Sequence, residues 1–265
     1  MGGCKMKITV IAPITKRVKG TDGQSRNTNK TEYTNKKCIT ELPCKFEFSF
    51  IENGPFLMLN AYDQAYALRG VVERAVQAEA EGADAIVINC TADTGLAACR
   101  EAVSIPVIGP TESTFLYSTQ FTDRISVITG LERINGRFYK MARELGMAHR
   151  LTCARAVQIP EGGFKDRDGI VEGVFDVIRD IYETTGCDSF MLGCSDFDGL
   201  AYMLGCPGFH GLEEALRARL EHEGMKINFY KPFDVAVYQA YISILMNAKS
   251  SRSTYPAPHT LYTKQ

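Results

Sequence analysis

Two segments of this chain are copies of one local pattern, and that repetition limits the fold more than anything else in it. A single offset of 104 residues, the distance from Cys90 to Cys194, superposes Gly82 on Gly186 and Asp84 on Asp188. The same offset superposes Gly95 on Gly199, Leu96 on Leu200 and Ala97 on Ala201, with no gap. Each copy is a short apolar run (Ala83 to Asn89; Asp188 to Gly193), a cysteine, a polar turn and a small-residue helix start. A short apolar run bounded by turn residues reads as a buried strand. The chain is therefore expected to fold as two similar α/β lobes, each presenting one thiol at the end of a strand.

The rest of the chain fits that expectation. Lys7 to Ala12, Lys45 to Ile51, Val107-Ile108, Arg124 to Thr129 and Lys226 to Tyr230 read as further strands. Helices are expected over Tyr62 to Glu81, Glu112 to Gln120, Glu132 to Leu145, Gly169 to Thr185, Leu212 to Glu223 and Phe233 to Met246. In the first of these, Ala65, Leu68, Val71, Val72, Ala75, Val76 and Ala80 form an apolar stripe. Alternating strands and helices give an α/β class: two pseudo-symmetric Rossmann-like lobes with mostly parallel sheets and a cleft between them. The expected division is 1–112 plus 230–265 for the lobe carrying Cys90, and 113–229 for the lobe carrying Cys194. The polar stretch from Lys16 to Lys37 reads as a loop, either a solvated insertion or a lid over the site. The tail from Ser250, with Pro256 and Pro258, reads as a surface arm.

Composition excludes several functions. The net charge is −1 with both signs mixed along the chain, which is no footprint for nucleic acid or a membrane surface. No apolar run is long enough to span a bilayer. The nine cysteines are odd in number and scattered, and Met1 to Lys7 lacks the apolar core of a signal peptide. Reduced thiols and a cytoplasmic location are expected. No CxxC pair, HxxxH or HExxH occurs, so no metal is expected. Neither GxGxxG nor GxxxxGK[ST] occurs, so no nucleotide cofactor is indicated.

Most lone cysteines are small buried hydrophobes. Cys99, Cys153, Cys187 and Cys206 read that way, and nothing marks Cys4, Cys38 or Cys44. Cys90 and Cys194 differ by position. In open α/β sheets ligands bind at the carboxyl ends of strands. Each of these two cysteines ends a strand before a polar turn into a helix, whose free N–H groups favour a thiolate or hold an anion. Core packing alone would not need the polar neighbours Thr91, Asp93, Thr94, Ser195, Asp196 and Asp198. Thr94 and Asp198 can also serve as N-caps, as ligand contacts, or as both. Two opposed thiols suit the inversion of a carbon next to a carbonyl, because one face needs a base while the other needs an acid.

The chain resembles the Asp/Glu/hydantoin racemase superfamily, and within it the hydantoin racemase branch, over roughly residues 6 to 247. Asn89-Cys90-Thr91-Ala92-Asp93-Thr94-Gly95-Leu96 resembles the first catalytic-cysteine motif, and Leu192-Gly193-Cys194-Ser195-Asp196 the second. Gly54-Pro55 with Tyr62-Asp63, and Pro106-Val107-Ile108-Gly109 with Glu112, resemble further stretches of that branch. The resemblance implies cofactor-independent racemization or epimerization of an amino acid or a cyclic, hydantoin-like derivative. It implies Cys90 and Cys194 as the acid/base pair. Thr91, Ser195 and Asp196, with Asp93, Thr94 and Phe197 beside them, would line the site, and Pro13 and Thr15 would contact substrate. Where the branch usually has Asn-Pro-Asn-Thr, this chain has Ala12-Pro13-Ile14-Thr15, so two amide side chains are missing. The insertion after Thr15 brings Lys16, Arg17 and Lys19, an exposed basic loop or a cationic contact for an acidic substrate. Two other readings stay open: a superfamily decarboxylase or cis–trans isomerase with a nucleophilic cysteine, and a non-catalytic small-molecule binding protein. The expected partners are a small-molecule substrate and further copies of the chain as a homo-oligomer, with no nucleic acid and no membrane.

Overall fold

Strands that alternate with helices must pair in parallel, and a parallel sheet is covered on both faces. The computed structural model describes residues 6–15, 36–161, 163–195, 197–204 and 210–261. Residues 16–35, which hold most of the loop read from sequence as an insertion or lid, lie outside the described residues, as do Cys4, Asp196 and Cys206. The chain divides into two units, Met1–Pro110 with Ala236–Gln265, and Thr111–Val235.

In the first unit β1 (Lys7–Thr15), β2 (Lys45–Ile51), β3 (Ala85–Ile88) and β4 (Val107–Ile108) form a parallel sheet in the order β2-β1-β3-β4. Every residue of β3 is buried, which is why the strand reads as an unbroken apolar run. β1 continues three residues past the expected end at Ala12. Its pairing with β2 jumps from Ala12↔Phe50 to Thr15↔Ile51, and Pro13, which has no N–H to donate, sits in that irregularity.

Helices α1 (Lys37–Thr40), α2 (Ala61–Ala80) and α3 (Leu96–Ala102) complete this part of the unit. A capping box opens α2: the Asp63 amide donates to Asn60 Oδ1 at 2.9 Å, and the Asn60 amide donates to Asp63 Oδ2 at 3.2 Å. Of the stripe expected from sequence, Val71 and Ala75 are buried and Val72 and Val76 pack against the core, and the buried face is completed by Ala67, Gly70 and Ala78. Leu68 is 41% exposed, and Ala65 and Ala80 are also exposed. The helix lies too close to the end of β2 for a large side chain. A Cβ at Gly70 would stand 3.0 Å from Ile51 Cβ and 3.1 Å from the Asn53 carbonyl oxygen.

The second unit starts in α4 (Pro110–Ser118). Its strands β5 (Ile125–Thr129), β6 (Leu151–Ala156), β7 (Ser189–Leu192) and β8 (Asn228–Tyr230) pair in parallel in the order β6-β5-β7-β8. Strand for strand, this is the first sheet again. The helices are α5 (Asn135–Glu144) after a 3-10 turn at Glu132–Ile134, α6 (Arg167–Thr185), α7 (Phe197–Met203) and α8 (Leu212–His222). Ile128, Phe190 and Leu192 pack with α6, α7 and α8 on one face, and Val127 and Met191 pack with Phe115 and Phe138 on the other. A final helix, α9 (Pro232–Leu245), begins in the second unit and belongs to the first from Ala236 onward.

The start of α9 is pinned by charge. Lys231 Nζ lies 3.1 Å from Glu213 Oε2 on α8 and 3.2 Å from Asp234 Oδ2, and Arg217 also reaches Glu213, at 2.9 Å. Burial pushes the Glu213 carboxyl up, but hydrogen bonds from Arg217 and Lys231 and the charge of Lys231 outweigh it and hold the group below its ordinary 4.5. Burial pushes Lys231 down, and Asp234 and Glu213 reverse that too.

Gly70→Val is expected to cost about 2–3 kcal/mol through overpacking, whereas Leu68→Ser costs less than about 1 kcal/mol. Urea unfolding of both variants checks the contrast, and equal losses would refute the small-residue contact. Glu213 has a lowered folded pKa, so its contribution is present above pH 4.5 and is lost as the pH falls through the folded value. Glu213→Gln should therefore be about 1 kcal/mol less stable than wild type at pH 7, with the gap closing below pH 4.5. A gap that stays constant from pH 7 to pH 3 would refute this account of the contact.

Candidate active site

The two sequence copies end on the same backbone contact. Cys90 stands two residues beyond the end of β3 at Ile88, and Cys194 two residues beyond the end of β7 at Leu192. In the first unit the intervening amide, Asn89 N, donates to the Ile11 carbonyl of β1 at 2.8 Å. In the second unit Gly193 N donates to the Ile128 carbonyl of β5 at 2.7 Å. Each bond caps a pair of central strands and sends the next residue out past the carboxyl edge of its sheet. Both cysteines are half-buried.

Beyond Cys90 the chain makes a tight turn. The Cys90 amide donates to the Ile88 carbonyl at 2.9 Å, the Ala92 amide donates to Cys90 Sγ at 3.5 Å, and the Asp93 amide donates to the Cys90 carbonyl at 2.9 Å. Asp93 adopts φ 46°, in the left-handed region, and Gly95 follows at φ 78° as the N-cap of α3. A Cβ at Gly109, just after β4, would stand 2.6 Å from Asp93 Oδ2 and 2.6 Å from Leu96 Cδ2. Glycine at 109 is what lets this turn seat against the sheet edge. Thr91, Asp93 and Thr94 are all buried. Thr94 does not cap α3, since Gly95 holds that position, and its Oγ1 is buried with no hydrogen-bond partner among the described residues. Asn89 Oδ1 is likewise buried and without such a partner.

The turn after Cys194 is shorter. α7 begins at Phe197, which the 104-residue offset aligns with Asp93, so Gly199 lies inside a helix where Gly95 precedes one. Asp198 is accordingly the second residue of α7 and not its cap. Ser195 is buried, and its carbonyl accepts the Phe233 amide at 3.0 Å, which ties this turn to the start of α9. Phe197 packs in the core of its unit, edge to face with Phe229 at 5.2 Å. Asp196 falls outside the described residues.

Pro13 and Thr15 lie on the last residues of β1. The Thr15 amide donates to the Pro55 carbonyl at 3.0 Å, and its hydroxyl lies 3.5 Å from the same oxygen. Sequence reasoning did not reach Gly109 or the amides of Asn89, Gly193 and Phe233 as parts of these turns. Only Gly109 carried a signal, through the Pro106 to Gly109 stretch.

The other described cysteines are placed differently. Burial pushes the Cys99 thiol up to about 12. Cys187 is buried, with its sulfur 3.3 Å from Ser126 Oγ and 3.4 Å from the Ser189 carbonyl, and Cys153 lies 3.7 Å from the same hydroxyl. Cys38 and Cys44 are also buried. Among the described residues, no group of three or more His, Cys, Asp or Glu is placed to hold a metal. No helix among them is long and apolar enough to cross a membrane.

Residues 31–218 match the family described as Asp/Glu/Hydantoin racemase. Over 143 residues the chain is 31% identical to a hydantoin racemase of Pseudomonas sp. (strain NS671), an overlap of 54% of this chain and 57% of that one. The chain thus spans little more than half the length of that relative. Two solved structures resemble it over nearly their whole length. Allantoin racemase from Klebsiella pneumoniae superposes with a TM-score of 0.72 at 20% identity, covering 98% of this chain and 96% of that one. Allantoin racemase from Pseudomonas fluorescens does so with a TM-score of 0.76 at 17% identity, covering 98% and 100%. At such identities the likeness is one of fold, and it is the family match, over more than half of the chain, that decides the assignment: this chain belongs to the Asp/Glu/hydantoin racemase family.

Proposed function

We propose that the chain is a cofactor-independent racemase or epimerase of an amino acid or a cyclic, hydantoin-like derivative, with Cys90 and Cys194 as its acid/base pair. The observation that carries this reading is the matched setting of the two thiols. Each stands two residues past the third strand of a sheet of identical strand order, after an amide bonded to the neighbouring central strand. Family membership and the hydantoin racemases among the relatives support the same chemistry.

The reaction asks for two groups on opposite faces of one carbon. One thiolate takes the proton from the carbon next to the carbonyl, and the bonding pair moves into an enolate. The opposite thiol then gives its proton to the other face, leaving the inverted carbon and a thiolate. For the other enantiomer the roles exchange. The Ala92 amide aimed at Cys90 Sγ is a donor of the kind that holds charge on sulfur. Thr91, Asp93 and Thr94 on one side, and Ser195 and Asp196 on the other, are proposed as the polar lining, with Pro13 and Thr15 beside the first thiol. Phe197 serves that lining from behind, as core packing under the turn. A cytoplasmic homo-oligomer completes the proposal. Its assembly is supported by the aromatic surface of the first unit, where Tyr62 is 77% and Tyr66 59% exposed.

Single enantiomers of 5-substituted hydantoins, allantoin, aspartate and glutamate, incubated in D2O and followed by NMR and polarimetry, test the reading. Wild type should exchange the hydrogen next to the carbonyl and lose optical rotation with one of them. Cys90→Ser and Cys194→Ser should each lower racemization by about a hundredfold or more. Racemization that survives in both variants would sink the two-thiol mechanism, and a covalent substrate adduct on one cysteine would point to a nucleophilic cysteine in its place. Gly109→Ala should lower kcat by about tenfold or more, because the new methyl displaces the Asp93 turn that fixes the Cys90 carbonyl. Unchanged kcat in a folded Gly109→Ala protein would separate that turn from catalysis.

A further inference from the structure

The carboxyl end of α3 is closed from far away in sequence. A helix leaves its last carbonyls without intrahelical partners. Here Arg252, on the C-terminal arm, supplies donors to three carbonyls of that end. Its Nη1 donates to the Glu101 carbonyl at 2.9 Å and to the Arg100 carbonyl at 3.3 Å, and its Nη2 donates to the Val103 carbonyl at 2.8 Å. Nη1 also reaches the Tyr255 carbonyl at 3.3 Å, which fixes the arm around the guanidinium. Tyr255 fastens the arm a second time. Its hydroxyl accepts from Arg100 Nη1 at 3.2 Å, and the Arg100 guanidinium lies 5.5 Å from its ring centroid. Arg100 Nε in turn donates to the Val107 carbonyl of β4 at 3.1 Å. The tail lies on the surface, as expected of an arm, and these contacts fasten it to the first unit.

These contacts connect to Cys90 through the backbone. The Val103 carbonyl is held by Arg252, and the Val103 amide donates to the Cys99 carbonyl at 3.0 Å. The Cys99 amide donates to the Gly95 carbonyl at 2.8 Å, and the Leu96 amide donates to the Asp93 carbonyl at 3.1 Å. The Asp93 amide closes the series on the Cys90 carbonyl at 2.9 Å. α3 has only seven residues, so a shift at one end is felt at the other. A cation at a helix carboxyl end also opposes the negative pole there.

We propose that Arg252 is a positioning residue for Cys90: the C-terminal arm locks the carboxyl end of α3 and thereby holds the turn that presents the thiol. The proposal rests on the reading of Cys90 as a reacting thiol but not on the identity of any substrate. Guanidinium is suited to the task because its planar fork meets several carbonyls at fixed angles, which a lysine ammonium cannot do.

The test is site-resolved alkylation of the full chain by iodoacetamide between pH 6 and 9, with Cys90 and Cys194 quantified by peptide mass spectrometry. In Arg252→Ala the Cys90 rate at fixed pH should change by about fivefold, while Cys194 in the same sample stays within about twofold. Arg252→Lys should recover part of the Cys90 change, since it restores the charge without the fork. Urea unfolding of each variant gives the global stability for comparison. A wild-type Cys90 rate in Arg252→Ala would overturn the proposal. So would a change shared equally by Cys90 and Cys194 in step with lost stability. Absence of racemization in wild type, with the Cys90-specific change intact, would remove the proposed reaction and leave the positioning role standing.

Discussion

One backbone hydrogen bond per unit sets where the chain, and the cysteine that follows, leaves each sheet. Where two parallel strands end together, the next amide must find an acceptor or remain a buried donor without one. Asn89 N finds the Ile11 carbonyl and Gly193 N finds the Ile128 carbonyl, each on the neighbouring central strand. Satisfying that amide fixes the direction in which the chain leaves the sheet. The residue leaving is a cysteine in both units, so the placement of each thiol is a property of the sheet and not of its own side-chain contacts. The cores enforce this from below: the strands concerned, β3, β5 and β7, are buried at every residue.

The likeness ends after the cysteines, and the reason is conformational. The first turn passes through two left-handed residues, Asp93 and Gly95, before α3 begins. The second enters α7 at the position equivalent to Asp93. The first turn thus needs room at Gly109 and an outside clamp on a short helix, whereas the second is tied by the Phe233 amide at the start of α9. Two thiols with the same backbone placement but different supports fit a reaction whose two directions need the same pair of groups in exchanged roles. Thermodynamic symmetry between enantiomers constrains the groups that move the proton. It does not constrain what holds them.

Much of this was legible in the sequence, because repeated spacing records repeated geometry. Gly82 and Gly186, matched by the offset, both adopt left-handed conformations just after a long helix, at φ 80° and φ 67°. The strands of the cores were readable because burial on both faces leaves mostly apolar residues, broken only by small hydroxyls such as Ser126, Thr129 and Ser189. β6 was not: it is an edge strand, only half its residues are buried, and Thr152 and Arg155 break its apolar pattern. On α2 periodicity found Val71, Val72, Ala75 and Val76 but missed Ala67 and Gly70, because it weighs large side chains while close approach to Ile51 selects small ones. Arg252 was invisible for another reason. Its partner Val103 lies 149 residues away, and no local pattern records a contact of that separation.

The same physical view bears on which of the nine cysteines can react. A thiol in a sealed core pays for its anion in lost solvation, and Cys99 at about 12 shows the size of that effect. Cys187 is enclosed by hydrogen bonds: its thiol donates to the Ser189 carbonyl at 3.4 Å and the Arg124 carbonyl at 3.8 Å, and its sulfur accepts from the Ser126 hydroxyl at 3.3 Å. Cys90 is only half-buried and has a backbone amide N–H directed at its sulfur. Under the proposed reaction, recognition of the substrate then falls to the turns around the thiols. The end of β1 offers the apolar side chains of Ala12 and Ile14, and both polar groups of Thr15 face the Pro55 carbonyl. Substitution of the amides usual at positions 12 and 14 therefore moves the burden of polar contact toward Thr91 and Ser195, the hydroxyls that directly follow the two cysteines.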